Sequence, residues 1–114
     1  MSTVDVRSVT VVIPARNEAA AVSGVVSAVF EVLPGAEVLV VDDGSTDATA
    51  EVAREAGATV VSHRHGMGNG AAIKAGARRA KREVIVFMDG DGQHDPADIP
   101  RLLARLDEGH DMVV

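Results

Sequence analysis

The 114-residue sequence contains no cysteine, tryptophan or tyrosine, and it has only two phenylalanines. Without cysteine the chain has no disulfide framework, no thiolate metal site and no cysteine nucleophile. Because aromatic residues are so scarce, the core must be built from Val, Ala, Leu and Ile, which favours thin layers of strands and helices. The length suits one small domain with a core of its own and is too short for two.

Basic residues and long apolar runs are also scarce. Eleven Lys and Arg against seventeen Asp and Glu give a net charge of −6, which argues against a nucleic-acid partner, because such binders usually carry a basic face. No run approaches the roughly 18 apolar residues of a membrane span, and residues 1–7 lack the apolar region of a signal peptide. We therefore expect a soluble chain. The absence of cysteine is compatible with a reducing compartment, and the sequence does not decide whether the protein acts at a membrane surface.

What the sequence does have is a regular alternation of strand and helix patterns. Apolar strand patterns occupy 9–13, 37–41, 59–62, 84–88 and 111–114, and helical patterns occupy 19–32, 47–56, 71–81 and a stretch from 95 or 98 to 109. This order predicts an α/β fold with a mostly parallel sheet and helices on both faces. Because the chain stops within the last strand pattern, we expect it to be the N-terminal part of a longer protein.

The local signals make finer predictions about these elements. Pro14 is expected to end the first strand and Asn17 to cap the first helix. Pro34 and Gly35 are expected to stop that helix, and Gly57 to close the second. The third helix is expected to turn Ile73, Ala77 and Ala80 towards the core.

Polar or glycine-rich loops follow the predicted strands at 14–18, 42–45, 63–70 and 89–95, whereas the opposite connections are short and plain. In an open α/β sheet, ligands bind outside the carboxyl ends of the strands. The asymmetry therefore predicts a ligand site at this edge.

Asp89 and Asp91 follow the fourth strand pattern and are two residues apart, so on near-extended backbone they point to the same side. Two such carboxylates raise each other's pKa unless a cation or a set of donors lies between them. Gly90 and Gly92 leave room for another molecule. The pattern favours a hard divalent metal whose shell is completed by substrate phosphates; the alternative is a solvated acidic turn.

Three further groups are candidates at the same edge. Asp42 and Asp43 can accept hydrogen bonds from a base or a ribose, although helix capping is the alternative for one of them. The glycines at 66, 68 and 70 can wrap N–H groups around an anion, or form only a mobile connection. Arg16 is also a candidate for contact with a ligand, whereas the scattered His63, His65 and His110 are assigned to the surface.

Together, the motifs at 11–18, 40–47, 68–72 and 88–96 resemble those of family 2 glycosyltransferases of the GT-A fold. The likeness extends over about 9–114 and is greatest to the dolichol- or polyprenyl-phosphate sugar (mannosyl or glucosyl) transferases. It implies a single domain, 1–114, that forms the Rossmann-like nucleotide-binding half of such an enzyme. The implied reaction transfers a sugar with inversion from a GDP- or UDP-linked donor to a polyprenyl or dolichyl phosphate, at the cytoplasmic face of a membrane.

The resemblance also implies roles for individual residues by motif position. The nucleoside pocket would be lined by Pro14, Arg16 and Glu18, with Val41, Asp42 and Asp43 at the base and ribose and with Gly68 and Gly90 along the donor. The cofactor Mg²⁺ or Mn²⁺ would be held against the diphosphate by Asp89, Asp91 and Gln93, with Asp91 acting in catalysis through the metal. Arg16 departs from the family pattern, in which an aromatic residue is frequent, and the acceptor-side residues would follow Val114.

Other interpretations stay open at this point. A non-catalytic fragment that only binds a nucleotide sugar fits the same motifs. A dinucleotide-binding oxidoreductase fits the loose pattern of Gly66, Gly68 and Ala71. That fingerprint normally follows the first strand, however, and this interpretation leaves Asp42, Asp43 and Asp91 without a role. A receiver-like magnesium-binding module would need its acidic pair after the first strand, where this chain has 14–18.

Overall fold

The structure, a computed structural model, describes residues 6–63, 68–80 and 84–88. A short 3₁₀ turn, Val6–Ser8, precedes an alternation of strands and helices. The elements are β1 (Val9–Ala15), α1 (Ala19–Val32), β2 (Glu37–Asp43), α2 (Thr49–Glu55), β3 (Thr59–His63), α3 (Asn69–Arg79) and β4 (Val84–Phe87). The predicted fourth helix and fifth strand lie outside the described residues.

The strands form one sheet in the order β3-β2-β1-β4, and every described pairing is parallel. The chain steps outward from β1 to β2 to β3 and then returns to the other side of β1 as β4. Such a reversal of strand order is where open α/β sheets leave a crevice at their carboxyl edge. The predicted α/β fold with a parallel sheet is therefore confirmed.

Helices cover both faces of the sheet, as predicted. One face of β1 packs against the valines of α1, and Ala53 of α2 joins the same cluster. The other face contributes Val12, Leu39 and Val41, which pack against Ala72 of α3. Alternate residues of a strand point to opposite faces, so two separate apolar clusters flank one sheet. The predicted core positions of α1 are all buried: Val22, Val25, Val26, Val29 and Leu33.

The inner face of α3 differs from the prediction. Ala72 and Gly76 are buried, whereas Ala77 is exposed and Ile73 only partly buried. The reason is close packing: a Cβ atom on Gly76 would overlap the Val12 side chain and lie 3.3 Å from Val41 Cγ2. Only the smallest residues fit between this helix and the sheet.

The end of β1 also differs from the prediction, because the strand continues through Pro14, which pairs with Val41. The Val12 carbonyl accepts the Met88 N–H at 3.0 Å, so even-numbered residues of β1 direct their backbone groups towards β4. The N–H that Pro14 lacks would therefore fall where β4 ends, at Phe87. A proline is tolerated in a strand where no ladder bond is lost.

Gly57 closes α2, as predicted. Its φ is 106°, its N–H donates to the Arg54 carbonyl at 3.0 Å, and the Ala58 N–H donates to the Ala53 carbonyl at 3.1 Å. These two bonds form a Schellman motif. The turn leads after one further residue into β3, which brings the end of that strand beside the end of β2.

Candidate functional site

The adjacent carboxylates Asp42 and Asp43 end β2 on opposite faces of the sheet. Asp43 shares the α3 face with Val41, and each aspartate is only 7% exposed. Asp42 Oδ1 accepts the Ser45 N–H at 3.1 Å, so this carboxylate supports the loop that follows. One member of the pair therefore has a structural role, and Asp43 is the member that faces a cleft.

Asp43 is held from two sides. Its Oδ2 accepts the Gly68 N–H at 2.9 Å, and its Oδ1 lies 3.4 Å from His63 Nδ1. Asp43 and His63 are paired across β2 and β3, so their side chains project from the same face of the sheet. The carboxylate therefore links the end of β3 to the start of α3.

His63 is the functional candidate that sequence reasoning missed, and its assignment to the surface is wrong. Its side chain is only 18% exposed, and it lies beside a carboxylate. The available signal was its position at the end of a strand, like that of Asp43. To use that signal, one must know that β3 is the neighbour of β2 and how the residues of the two strands are paired. Neither the strand order nor the register follows from local sequence patterns.

A cleft of about 260 Å³ opens at this edge of the sheet. This is slightly below the roughly 300 Å³ at which pockets for drug-sized ligands begin. Arg16 supplies guanidinium donors at its rim and Asp43 supplies a buried acceptor. The lining residues are Pro14, Ala15, Arg16, Asp43, Gly68 and Ala72.

Asn17 joins the loop after β1 to the loop after β2. Its φ of 55° is left-handed, its N–H donates to Ser45 Oγ at 2.9 Å, and its Oδ1 accepts the Thr46 N–H at 2.8 Å. The expectation that Asn17 caps α1 is thus wrong, because the N-cap is Glu18 and no side chain of its own caps the helix. Asn17 instead fixes the position of its neighbour Arg16 relative to β2.

The first turn of α1 is capped by residues from the β2–α2 loop and the start of α2. The Glu18 N–H donates to Thr49 Oγ1 at 2.9 Å, and the Ala19 N–H donates to Asp47 Oδ2 at 3.2 Å. Asp47 Oδ1 also accepts from the N–H and the hydroxyl of Thr49. The hydrogen bond from the Thr49 hydroxyl is the main cause that lowers the pKa of Asp47. The N-terminus of α1 is therefore satisfied within the protein.

The residues predicted for the site divide into three groups. Pro14, Arg16, Asp43 and Gly68 line the cleft. Val41 is fully buried in the cluster beneath α3, and Glu18 and Asp42 lie at the same edge but take part in the loop contacts described above. The third group, Asp89, Gly90, Asp91 and Gln93, lies outside the described residues.

Two features are absent from the described part of the chain. Within it, no group of three or more acidic or histidine side chains could hold a metal ion. Among the helices described, none is long and apolar enough to cross a membrane. The last described residue is Met88, which is buried and tied to β1, and the acidic motif begins at the next residue.

Comparison with known proteins places the chain in a family. Residues 10–114 match the model of glycosyl transferase family 2. An uncharacterised glycosyltransferase of Mycobacterium tuberculosis H37Rv is 42% identical over 106 residues, which cover 93% of this chain and 47% of that protein. The undecaprenyl-phosphate 4-deoxy-4-formamido-L-arabinose transferase of Aeromonas hydrophila is 37% identical over 99% of this chain and 38% of its own length.

A solved structure is similar to this chain in both fold and sequence. Glucosyl-3-phosphoglycerate synthase of Mycobacterium tuberculosis, in complex with Mn²⁺, UDP and glucosyl-3-phosphoglycerate, superposes with a TM-score of 0.76 and 31% identity, over 88% of this chain and 39% of that one. The same enzyme is also solved with Mg²⁺ and UDP. This chain spans about half the length of the mycobacterial relative and about two-fifths of the others. Its α/β fold matches GT-A glycosyltransferase structures, and the chain belongs to glycosyl transferase family 2.

Proposed function

We propose that this protein transfers a sugar, with inversion, from a nucleotide-diphosphate sugar to a polyprenyl or dolichyl phosphate. Family membership supports the transfer, and the Aeromonas relative, which is named for an undecaprenyl-phosphate acceptor, supports the acceptor class. The observation that carries the donor half is the cleft at the ends of β1 and β2, which both Arg16 and Asp43 line.

The nucleoside end of the donor is assigned to this cleft. A buried carboxylate makes strong hydrogen bonds to N–H and O–H donors, and the base and the ribose of a nucleotide carry both. The planar guanidinium of Arg16 can stack on a base or bind a phosphate. Because Asn17 is tied to the β2–α2 loop, the backbone of Arg16 is held near the end of β2.

The diphosphate end of the donor is assigned to Asp89, Asp91 and Gln93, which would hold Mg²⁺ or Mn²⁺. Two carboxylates and an amide oxygen are the ligand types that these hard cations prefer. When bound, the metal would stabilise the charge of the departing diphosphate. The crystal structures of the mycobacterial synthase with UDP and either metal support the use of a divalent cation with the nucleotide.

The acceptor side is proposed on chemical grounds. A lipid phosphate is already ionised near neutral pH, so its oxygen can attack the sugar without a strong general base. More than half of each named relative lies outside the part that matches this chain, and we propose that the acceptor site lies in the corresponding part of the whole protein. With a lipid acceptor the reaction takes place at a membrane, and we propose its cytoplasmic face.

Calorimetry tests the donor half. We expect UDP or GDP to bind this chain at least about tenfold more tightly with Mn²⁺ than with EDTA. Asp43→Asn is expected to weaken that binding by a similar factor, whereas Glu55→Gln, which removes an exposed acid of α2, is the matched charge control. Binding of both nucleotides that is unaffected by EDTA would refute the proposal, and metal-free binding of NAD would favour an oxidoreductase instead.

The acceptor is tested with the whole protein and a nucleotide sugar labelled in the sugar. Transfer to undecaprenyl phosphate in detergent gives a labelled product that partitions into organic solvent. The mycobacterial synthase is instead solved with phosphoglyceric acid, so that compound serves as the competing acceptor. A labelled product formed only with phosphoglyceric acid would overturn the lipid acceptor and leave the donor assignment standing.

A further inference from the structure

His63 ends β3 and lies beside Asp43, which lines the cleft. Its Nδ1 atom is 3.4 Å from Asp43 Oδ1, and its side chain is largely buried. With the imidazole proton on Nδ1, this contact is a hydrogen bond from His63 to the carboxylate, because an ionised carboxylate only accepts hydrogen bonds. In this form His63 donates to Asp43, the carboxylate that binds the nucleoside in the proposed function.

The other oxygen of the same carboxylate is held by a different element. Asp43 Oδ2 accepts the Gly68 N–H at 2.9 Å, and Gly68 is the N-cap of α3. One oxygen is thus fixed by β3 and the other by the start of α3. Rotating the carboxylate about its Cβ–Cγ bond would lengthen both contacts, so together they define the plane of the group.

We propose that His63 is a positioning residue, which holds the Asp43 carboxylate in the orientation that accepts the nucleoside. The inference rests on the proposed role of Asp43 in donor binding. A group already held in its binding geometry loses less conformational freedom when the ligand arrives. The expected consequence is a contribution to nucleotide affinity from a side chain that acts through Asp43.

Two substitutions separate positioning from shape. His63→Phe keeps a ring in the same space and removes the nitrogen donor, so the dissociation constant of the nucleotide should rise by about fivefold to tenfold. His63→Asn places an amide nitrogen one bond beyond Cγ, as Nδ1 is, and should return affinity to within about twofold of the native chain. Ser62→Ala, an exposed neighbour on the opposite face, is the control.

A double-mutant cycle shows whether His63 acts through Asp43. Dissociation constants for UDP and GDP in the presence of Mn²⁺ are measured for His63→Phe, Asp43→Asn and the double variant, with thermal melting of each. If the proposal is correct, His63→Phe weakens binding in the native background and has no further effect when Asp43 is replaced.

The outcomes are distinguishable. Native-like binding by His63→Phe overturns the inference and leaves the donor site intact. Weak binding that His63→Asn does not restore, or that accompanies a large loss of melting temperature, shows a structural role and also overturns it. A native chain that binds neither nucleotide overturns the proposed function itself, and the inference with it.

Discussion

At the scale of single residues, Gly76 is packed closely between α3 and the sheet. An added Cβ would overlap the Val12 side chain, and Val41 leaves it no room to shift. We expect Gly76→Ala to lower the free energy of unfolding by about 1–3 kcal/mol, because overpacking outweighs the better helix propensity of alanine. Urea unfolding followed by circular dichroism measures the change in midpoint.

Gly24 provides the matched control for that substitution. It also lies within a helix, α1, but it is exposed and nothing lies within 4 Å of an added Cβ. Gly24→Ala is therefore expected to raise the free energy of unfolding by about 0.5–1 kcal/mol. If Gly76→Ala and Gly24→Ala raised the free energy of unfolding equally, the close packing of α3 on β1 described above would be contradicted.

Asp47 makes one part of the stability depend on pH. Its pKa is lowered from the ordinary value of 3.8, chiefly by the hydrogen bond from the Thr49 hydroxyl. Because the folded pKa lies below the unfolded one, the stabilisation is fully present above the unfolded pKa and is lost as the pH falls through the folded pKa.

Asp47→Asn is expected to be less stable than the native chain at neutral pH and to approach it in acid. The amide keeps an acceptor oxygen for the Thr49 N–H but has no charge to lose. Urea midpoints for the two proteins, measured from about pH 6 down to about pH 3, should therefore converge. Parallel curves over this range would show that the Asp47 carboxylate does not stabilise the fold by its charge.

At the scale of elements, Asn17 links the loop that carries Arg16 to the loop that follows Asp43. It combines a left-handed backbone with side-chain bonds to the β2–α2 loop. Asn17→Gly keeps the backbone conformation but loses the side-chain acceptor, whereas Asn17→Ala loses both. We expect stability to fall from Asn to Gly to Ala, with a gap of about 1–2 kcal/mol between the last two.

The same series measures the effect of the link on the site. If the two loops are held together by Asn17, both variants weaken nucleotide binding, and the glycine variant does so with the smaller loss of stability. Thermal melting and calorimetry on the same samples separate the two effects. Equal stability of the glycine and alanine variants would contradict the left-handed conformation at this position.

Elements with strong local signals were predictable from the sequence. The bounds of α1 follow from its apolar periodicity and from Pro34 and Gly35, and the closure of α2 follows from Gly57. The inner face of α3 was not predictable, because the need for Gly76 comes from Val12 on a distant strand. The trans-capping of α1 escaped prediction for the same reason, since Asp47 lies 28 residues from Ala19 in sequence.

The site was predictable where position along a strand was sufficient. Arg16 and Asp43 follow directly from the rule that ligands bind at the carboxyl ends of parallel strands. The different roles of Asp42 and Asp43 depend on which face each side chain takes, and that requires the helix positions. His63 required the strand order and the register, which are properties of the assembled sheet.

At the scale of the whole molecule, the proposed donor site is divided between two parts of the sequence. The nucleoside end is assigned to the cleft formed by β1, β2 and the start of α3, and the diphosphate end to 89–93. The proposed donor is anionic and the chain has a net charge of −6. A divalent cation would therefore offset the repulsion between the acidic motif and the phosphates. The two ends should therefore respond to different perturbations.

A nucleoside monophosphate and its diphosphate separate these contributions. We expect UMP or GMP, according to the base that the chain prefers, to bind equally with Mn²⁺ and with EDTA and to be weakened by Asp43→Asn. The second phosphate should add at least about tenfold in affinity only with Mn²⁺, and Asp91→Asn should remove that gain while leaving the monophosphate unaffected. Calorimetric titrations of both nucleotides into the native chain and the two variants test this division.

Two outcomes would contradict the assignment of nucleoside and metal to separate parts of the chain. One is that Asp91→Asn weakens binding of the monophosphate as much as binding of the diphosphate, and the other is that the gain in affinity from the second phosphate persists in EDTA.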